Sequence, residues 1–194
     1  MLLHLVFYLN VCRIGRLCGI YFADSTKLAV CHNRRIHSNK VFKGKAARGK
    51  TSTGWFYGLK LFLVINAFGE IMNAFLTMAN VADNHLVTMI KLFSKLKGWA
   101  FADKGFINQK AVEELLSKGL HLITGIRRNM KNKLVLMEQK ILLQKRGVIE
   151  SVNDILKTVC DIEHTRHRSP INALVNLYAG LCSYTFLDRL PSIF

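Results

Sequence analysis

The chain has 194 residues, 28 Lys plus Arg against 12 Asp plus Glu, a formal net charge of +16 and 51% hydrophobic residues. That balance excludes a disordered chain, and a content of two prolines excludes a collagenous or low-complexity one. The length suits one domain with a full core, and the basic surface calls for an anionic partner, nucleic acid or a membrane surface.

In chain order, Leu2 to Cys12 is apolar but well short of the roughly 18 to 20 residues of a membrane span. It also lacks the basic start of a signal peptide. Leu17 to Ala23 reads as a buried strand ending at Asp24. No acid occurs between Asp24 and Glu70, and Gly44, Gly49 and Gly54 with Thr51, Ser52 and Thr53 mark loop. Trp55 to Asn66 and Glu70 to Thr77 read as an antiparallel hairpin turning at Phe68-Gly69.

Leu86 to Leu96 has helical spacing, with Gly98 expected as its C-cap. Trp99 to Ala102 reads as a strand, Gln109 to Lys118 as a helix closed by Gly119, and His121 to Ile126 as the last strand. A long amphipathic helix is expected from about Ile141 to Ile162, then a buried terminal helix from Pro170. Pro170 to Leu187 carries no charge, but Asn172, Asn176, Ser183 and Thr185 interrupt it, so it is not read as a span. The order gives an α/β fold, a mixed sheet with helices on its faces.

Five cysteines, Cys12, Cys18, Cys31, Cys160 and Cys182, form no C-x-x-C pair and read as small buried hydrophobes in a reducing cytoplasm. A zinc site from Cys31, His32, Cys160, His164 and His167 has no usual zinc spacing. Phe-Ala-Asp occurs at 22–24 and at 101–103, each time at the end of an apolar run. On parallel neighbouring strands, Asp24 and Asp103 would meet at one sheet edge, where ligands of α/β sheets gather. Two such carboxylates bind a hard cation such as Mg²⁺, or merely begin turns. Glu150 shares a helical stripe with Arg146, Asn153 and Lys157, opposite Val148, Val152, Ile155, Leu156 and Val159. It reads equally as a third metal ligand or as half of an i,i+4 ion pair.

Taken together, F-A-D-S-T at 22–26, A-D-K-G-F at 102–106 and R-x3-E-x6-K at 146–157 resemble the DDE-type transposases of bacterial insertion sequences. The segments 26–37, 50–58, 126–132 and 162–170 are similar to one branch of them, and the likeness runs from about Val6 to the end. The resemblance implies a ribonuclease H-like sheet with Asp24 and Asp103 on adjacent parallel strands. It makes Asp24, Asp103 and Glu150 the catalytic and metal-binding triad for two Mg²⁺ or Mn²⁺ ions.

Arg34, Arg35, Lys43, Lys45, Arg48, Lys50, Arg127, Arg128, Arg146 and Lys157 would contact DNA. The implied activity is cleavage and strand transfer in DNA transposition. Its partners would be transposon ends and target DNA, with a homodimer in a synaptic complex and no membrane. The implied place is the bacterial cytoplasm, at the nucleoid. Alternatives are a decayed, non-specific DNA-binding fragment and a nuclease that cleaves without joining. The sequence departs from the family text at Phe62, Leu143 and the Met78–Asp83 loop. Residues 1–16 are expected to be the remnant of a longer N-terminal region and 17–194 the catalytic domain. No helix-turn-helix is legible, so base-specific readout is not expected from these residues.

Overall fold

Leu61, Phe62, Leu63, Val64 and Ile65 are consecutive and all have zero exposure, so the strand that holds them is covered on both faces. They lie in β3 (Gly54–Asn66), the centre of a mixed sheet. The computed structural model describes residues 1–126, 136–164 and 167–194. Among these the sheet has six strands, ordered β2-β3-β1-β5-β6 with β4 also on β3. They are β1 (Ile20–Cys31), β2 (Ala47–Thr51), β4 (Ile71–Met78), β5 (Gly98–Ala102) and β6 (Leu120–Thr124) besides β3. β2 pairs with residues 54–58 of β3 and β4 with residues 59–65, so the two share one edge end to end. β1 is antiparallel to β3 and parallel to β5, and β5 is parallel to β6.

Six helices accompany the sheet among the described residues: α1 (Leu2–Val11), α2 (Leu86–Leu92), α3 (Gln109–Ser117), α4 (Met137–Gln144), α5 (Gly147–Thr158) and α6 (Pro170–Tyr184). Alternation along the strands divides the core in two. Phe22, Leu61, Leu63 and Phe101 pack with Ile149, Val152 and Leu156 of α5 and Leu177, Leu181 and Tyr184 of α6. Tyr21, Ala23, Phe62 and Val64 pack on the other face with Met89 and Leu92 of α2 and Ala111 and Leu115 of α3. α1 lies on α6, with Tyr8 stacked against Phe186 at 6.0 Å and Leu9 buried.

The hairpin, the parallel pairing of β1 with β5 and the α3–β6 order agree with the sequence reading. Four expectations are corrected. First, β1 does not end at Asp24 but continues to Cys31, because residues 21–31 stay paired with β3 through a bulge between Ala29 and Cys31. Second, the glycine-rich segment 44–54 is not all loop: Gly49 sits in β2, where the Ala79 carbonyl occupies the space of a Cβ.

Third, α2 stops at Leu92, and Lys95 rather than Gly98 takes the left-handed conformation after it. Gly98 begins β5 with φ +111, and a Cβ there would collide with the Gly19 carbonyl. Fourth, the long helix is two helices. The bonds Arg146 N–H to Leu143 O, Val148 N–H to Lys145 O and Ile149 N–H to Arg146 O are i to i−3, a tightened turn that interrupts the helix before Gly147. The expected apolar stripe shifts with it. Ile149 is fully buried, whereas Val159 lies beyond α5 and is exposed. The cysteines differ as well: Cys182 is buried, Cys12 exposed and the others half-buried, all as free thiols.

Candidate nucleic-acid-processing site

Ala23 and Ala102 are register partners on the parallel strands β1 and β5. The next residues are Asp24, which continues β1, and Asp103, which leaves β5 and precedes a short 3-10 turn, Lys104–Phe106. An acid therefore follows each residue of the last register pair of the parallel strands, Asp103 exposed and Asp24 half-buried.

Asp24 lies on the α5 face of the sheet. Asn153, on the buried side of α5, donates its Nδ2–H to Asp24 Oδ2 at 3.0 Å. Burial pushes the Asp24 carboxyl up from 3.8 to about 6. The Ser25 amide and the Arg146 guanidinium hold it down, while the charges of Asp83 and Glu150 push it further up. Asn153 Oδ1 is buried with no hydrogen-bond partner among the described residues. The orientation of that amide is not free, since only its NH₂ end bonds a carboxylate.

Glu150 sits in the first turn of α5, one turn before Asn153. Its Oε1 accepts from Arg146 Nη2 at 3.0 Å, and its side chain is 62% exposed. Among the described residues no three His, Cys, Asp or Glu side chains are arranged to hold a metal ion. The donor chemistry nevertheless suits a divalent cation. Asp24, Asp103 and Glu150 are hard oxygen donors, and a cation at Asp24 would offset the cost of its buried charge.

Ser25 points to the opposite face and carries a network that the sequence reading missed. Ser25 Oγ donates to Asp83 Oδ1 at 2.7 Å, and Lys60 Nζ donates to the same oxygen at 3.0 Å and to Val81 O at 2.9 Å. Lys60 has a side-chain exposure of 10%, so this is a nearly buried ion pair directly behind Asp24. The available signal was a lone lysine inside the apolar run Leu59 to Ile65.

The basic residues fall into three groups. Arg34 and Arg35 are exposed in the 3-10 turn Asn33–Arg35, Lys43 and Lys45 in the following turns, and Arg48 and Lys50 along β2. Arg146 and Lys157 are engaged within the fold, the first with Glu150 and the second with Glu163 at 3.2 Å. Glu163 also accepts the Ala29 N–H at the β1 bulge, so Lys157 supports the sheet. Arg127 and Arg128 lie outside the described residues. No helix among the described residues is long and apolar enough to cross a membrane.

Residues 14–170 match the family model described as "Transposase DDE domain". No curated protein matches the chain in sequence. Among solved structures, the fold is similar to the piggyBac transposase in a synaptic complex with hairpin DNA. The TM-score is 0.53 at 10% identity, over 88% of this chain and 47% of that one. A chain of a simian T-cell lymphotropic virus intasome, in complex with PP2A regulatory subunit B56 gamma, gives 0.47 at 14% identity over 92% of this chain and 52% of its own. The catalytic core domain of BIV integrase gives 0.43 at 12%, over 86% and 82%. The chain thus spans about half the length of the first two.

Proposed function

We propose that this chain, which belongs to the transposase DDE domain family, cleaves DNA phosphodiesters and joins the freed 3′ end to a target strand. Proteins of the family work with divalent metal ions, and here Asp24, Asp103 and Glu150 would hold Mg²⁺ or Mn²⁺, two ions in all. The observation that supports the reading is the register: Ala23 is paired with Ala102, and Asp24 and Asp103 are the residues that follow them. The bound metal would supply charge stabilisation at the attacking and leaving oxygens.

The chain's own residues do the rest. Asn153 holds the Asp24 carboxylate in one orientation by its amide N–H. Lys60, Asp83 and Ser25 fix β1 and the loop before α2 against each other, so Asp24 is held from both faces of the sheet. Arg146 holds Glu150 at the first turn of α5, where its carboxylate would serve as a metal ligand. Arg34, Arg35, Lys43, Lys45, Arg48 and Lys50, with Arg127 and Arg128, bind backbone phosphates, an affinity that carries no base sequence. The DNA partners are transposon ends and target, brought together by a homodimer, and the place of action is the bacterial nucleoid.

A second reading, DNA binding without catalysis, is favoured by one observation: Glu150 is exposed and paired with Arg146. Metal-dependent nicking of supercoiled DNA separates the two. Loss of nicking in Asp24→Asn, Asp103→Asn and Glu150→Gln supports the triad, and wild-type nicking in any one removes that residue. Joining of a pre-cut 3′ end then distinguishes a transposase from a nuclease.

A further inference from the structure

Trp55, the second residue of β3, is 56% exposed, whereas the next three residues, Phe56, Tyr57 and Gly58, are buried. Lys50 of β2 is its partner across the strands, and Arg48, two residues away, projects on the same side. The Arg48 guanidinium carbon lies 5.6 Å and the Lys50 ammonium 5.7 Å from the centre of the indole ring. These distances suit cation–π attraction. The platform is held firmly. Asn33 Nδ2 donates to the Trp55 carbonyl at 2.7 Å, and Lys27 Nζ donates to Thr53 Oγ1 at 2.9 Å in the turn that joins β2 to β3.

A large aromatic ring in water, flanked by two cations, has no structural use in the core beneath it. We propose that the β2–β3 hairpin is a stacking site for unpaired bases of single-stranded DNA, with Trp55 as the platform and Arg48 and Lys50 binding the adjoining phosphates. The inference rests on DNA as the partner. Every base has a π-face, but a duplex hides those faces between neighbouring pairs, so an exposed indole favours unpaired nucleotides. An acidic protein surface would use the two cations and leave the ring unmatched. The position is compatible with the candidate site: β3 runs eight residues from Trp55 to Leu63, the partner of Asp24, about 26 Å at the usual strand rise.

Trp55 and Trp99 are the two tryptophans, so a full-length Trp99→Phe variant reports Trp55 emission by itself. Should that variant fail to fold, the difference between wild type and Trp55→Phe gives the same signal. The protein is titrated with an end-labelled single strand and with a blunt duplex of the same sequence, following indole emission and label anisotropy together. The single strand is expected to quench Trp55 strongly and the duplex weakly. Trp55→Ala should weaken single-strand binding about tenfold or more, Trp55→Phe less, with duplex affinity within about twofold. Single-strand binding with unchanged Trp55 emission and unchanged affinity in Trp55→Ala overturns the stacking site while leaving DNA as the partner. Equal quenching and equal loss with the duplex overturns the preference for unpaired bases. No anisotropy change with either DNA overturns the DNA reading itself.

Discussion

Asp24 and Asn153, 129 residues apart in sequence, are joined by an amide-to-carboxylate hydrogen bond of 3.0 Å between the middle of β1 and the buried side of α5. The bond directs a neutral amide at the buried carboxylate and leaves Glu150 one turn away with Arg146. The buried Asn153 Oδ1 then has no donor among the described residues, an arrangement that costs stability unless something occupies it.

The raised Asp24 pKa gives a pH dependence of definite sign. Folding favours the protonated acid, so its contribution to stability is fully present below 3.8 and is lost as pH rises through about 6. The loss is at most about 3 kcal/mol, since one pKa unit is worth about 1.4 and the side chain is half-buried. Asp24→Asn should therefore be more stable than wild type at pH 7.5 without metal, and show no such gain near pH 4. Urea unfolding at the two pH values checks this. Added Mg²⁺ should raise the wild-type melting temperature and leave that of Asp24→Asn nearly unchanged.

Lys60 and Asp83 should behave as a nearly buried ion pair. Lys60→Met leaves the Asp83 charge facing Ser25 and Asp24, at a cost of about 3 kcal/mol. Adding Asp83→Asn should recover much of that loss. A double-mutant cycle by chemical denaturation measures the coupling, and additive losses would show that the pair contributes nothing.

Two glycines should respond in opposite directions. Gly98→Ala places a Cβ against the Gly19 carbonyl at φ +111 and is expected to destabilise by several kcal/mol. Gly147→Ala meets nothing within 4 Å at the start of α5 and should stabilise by up to about 1 kcal/mol. Melting temperatures of the two variants decide the matter.

DNA affinity should fall steeply with salt. Replacing Lys43, Lys45, Arg48 and Lys50 together is expected to reduce the slope of log affinity against log salt by up to about 3.6, near 0.9 per lost phosphate contact. An unchanged slope would mean that this edge of the sheet does not touch phosphate. End and scrambled duplexes should bind alike, because the sequence shows no helix-turn-helix that would read bases.

Local sequence determined a large part of this protein. Continuous apolar runs with turn residues between them fixed the hairpin, β5 and β6, and the twin Phe-Ala-Asp marked the acids that follow the paired Ala23 and Ala102 of neighbouring parallel strands. Spacing also paired Arg146 with Glu150, but it set Asn153 on the same polar stripe, whereas Asn153 is buried against the sheet. The tertiary structure decided what spacing cannot carry. β1 runs past Asp24 because β3 lies beside it to accept its hydrogen bonds, a partner 39 residues away in the case of Leu63. The helix breaks before Gly147 and Asn153 turns inward because α5 must bury Ile149, Val152 and Leu156 on the sheet. Whether Glu150 faces Asp24 or Arg146, and that Lys60 finds Asp83, are matters of distance between segments far apart in the chain. Periodicity reports which face a residue occupies; only packing determines what stands opposite it.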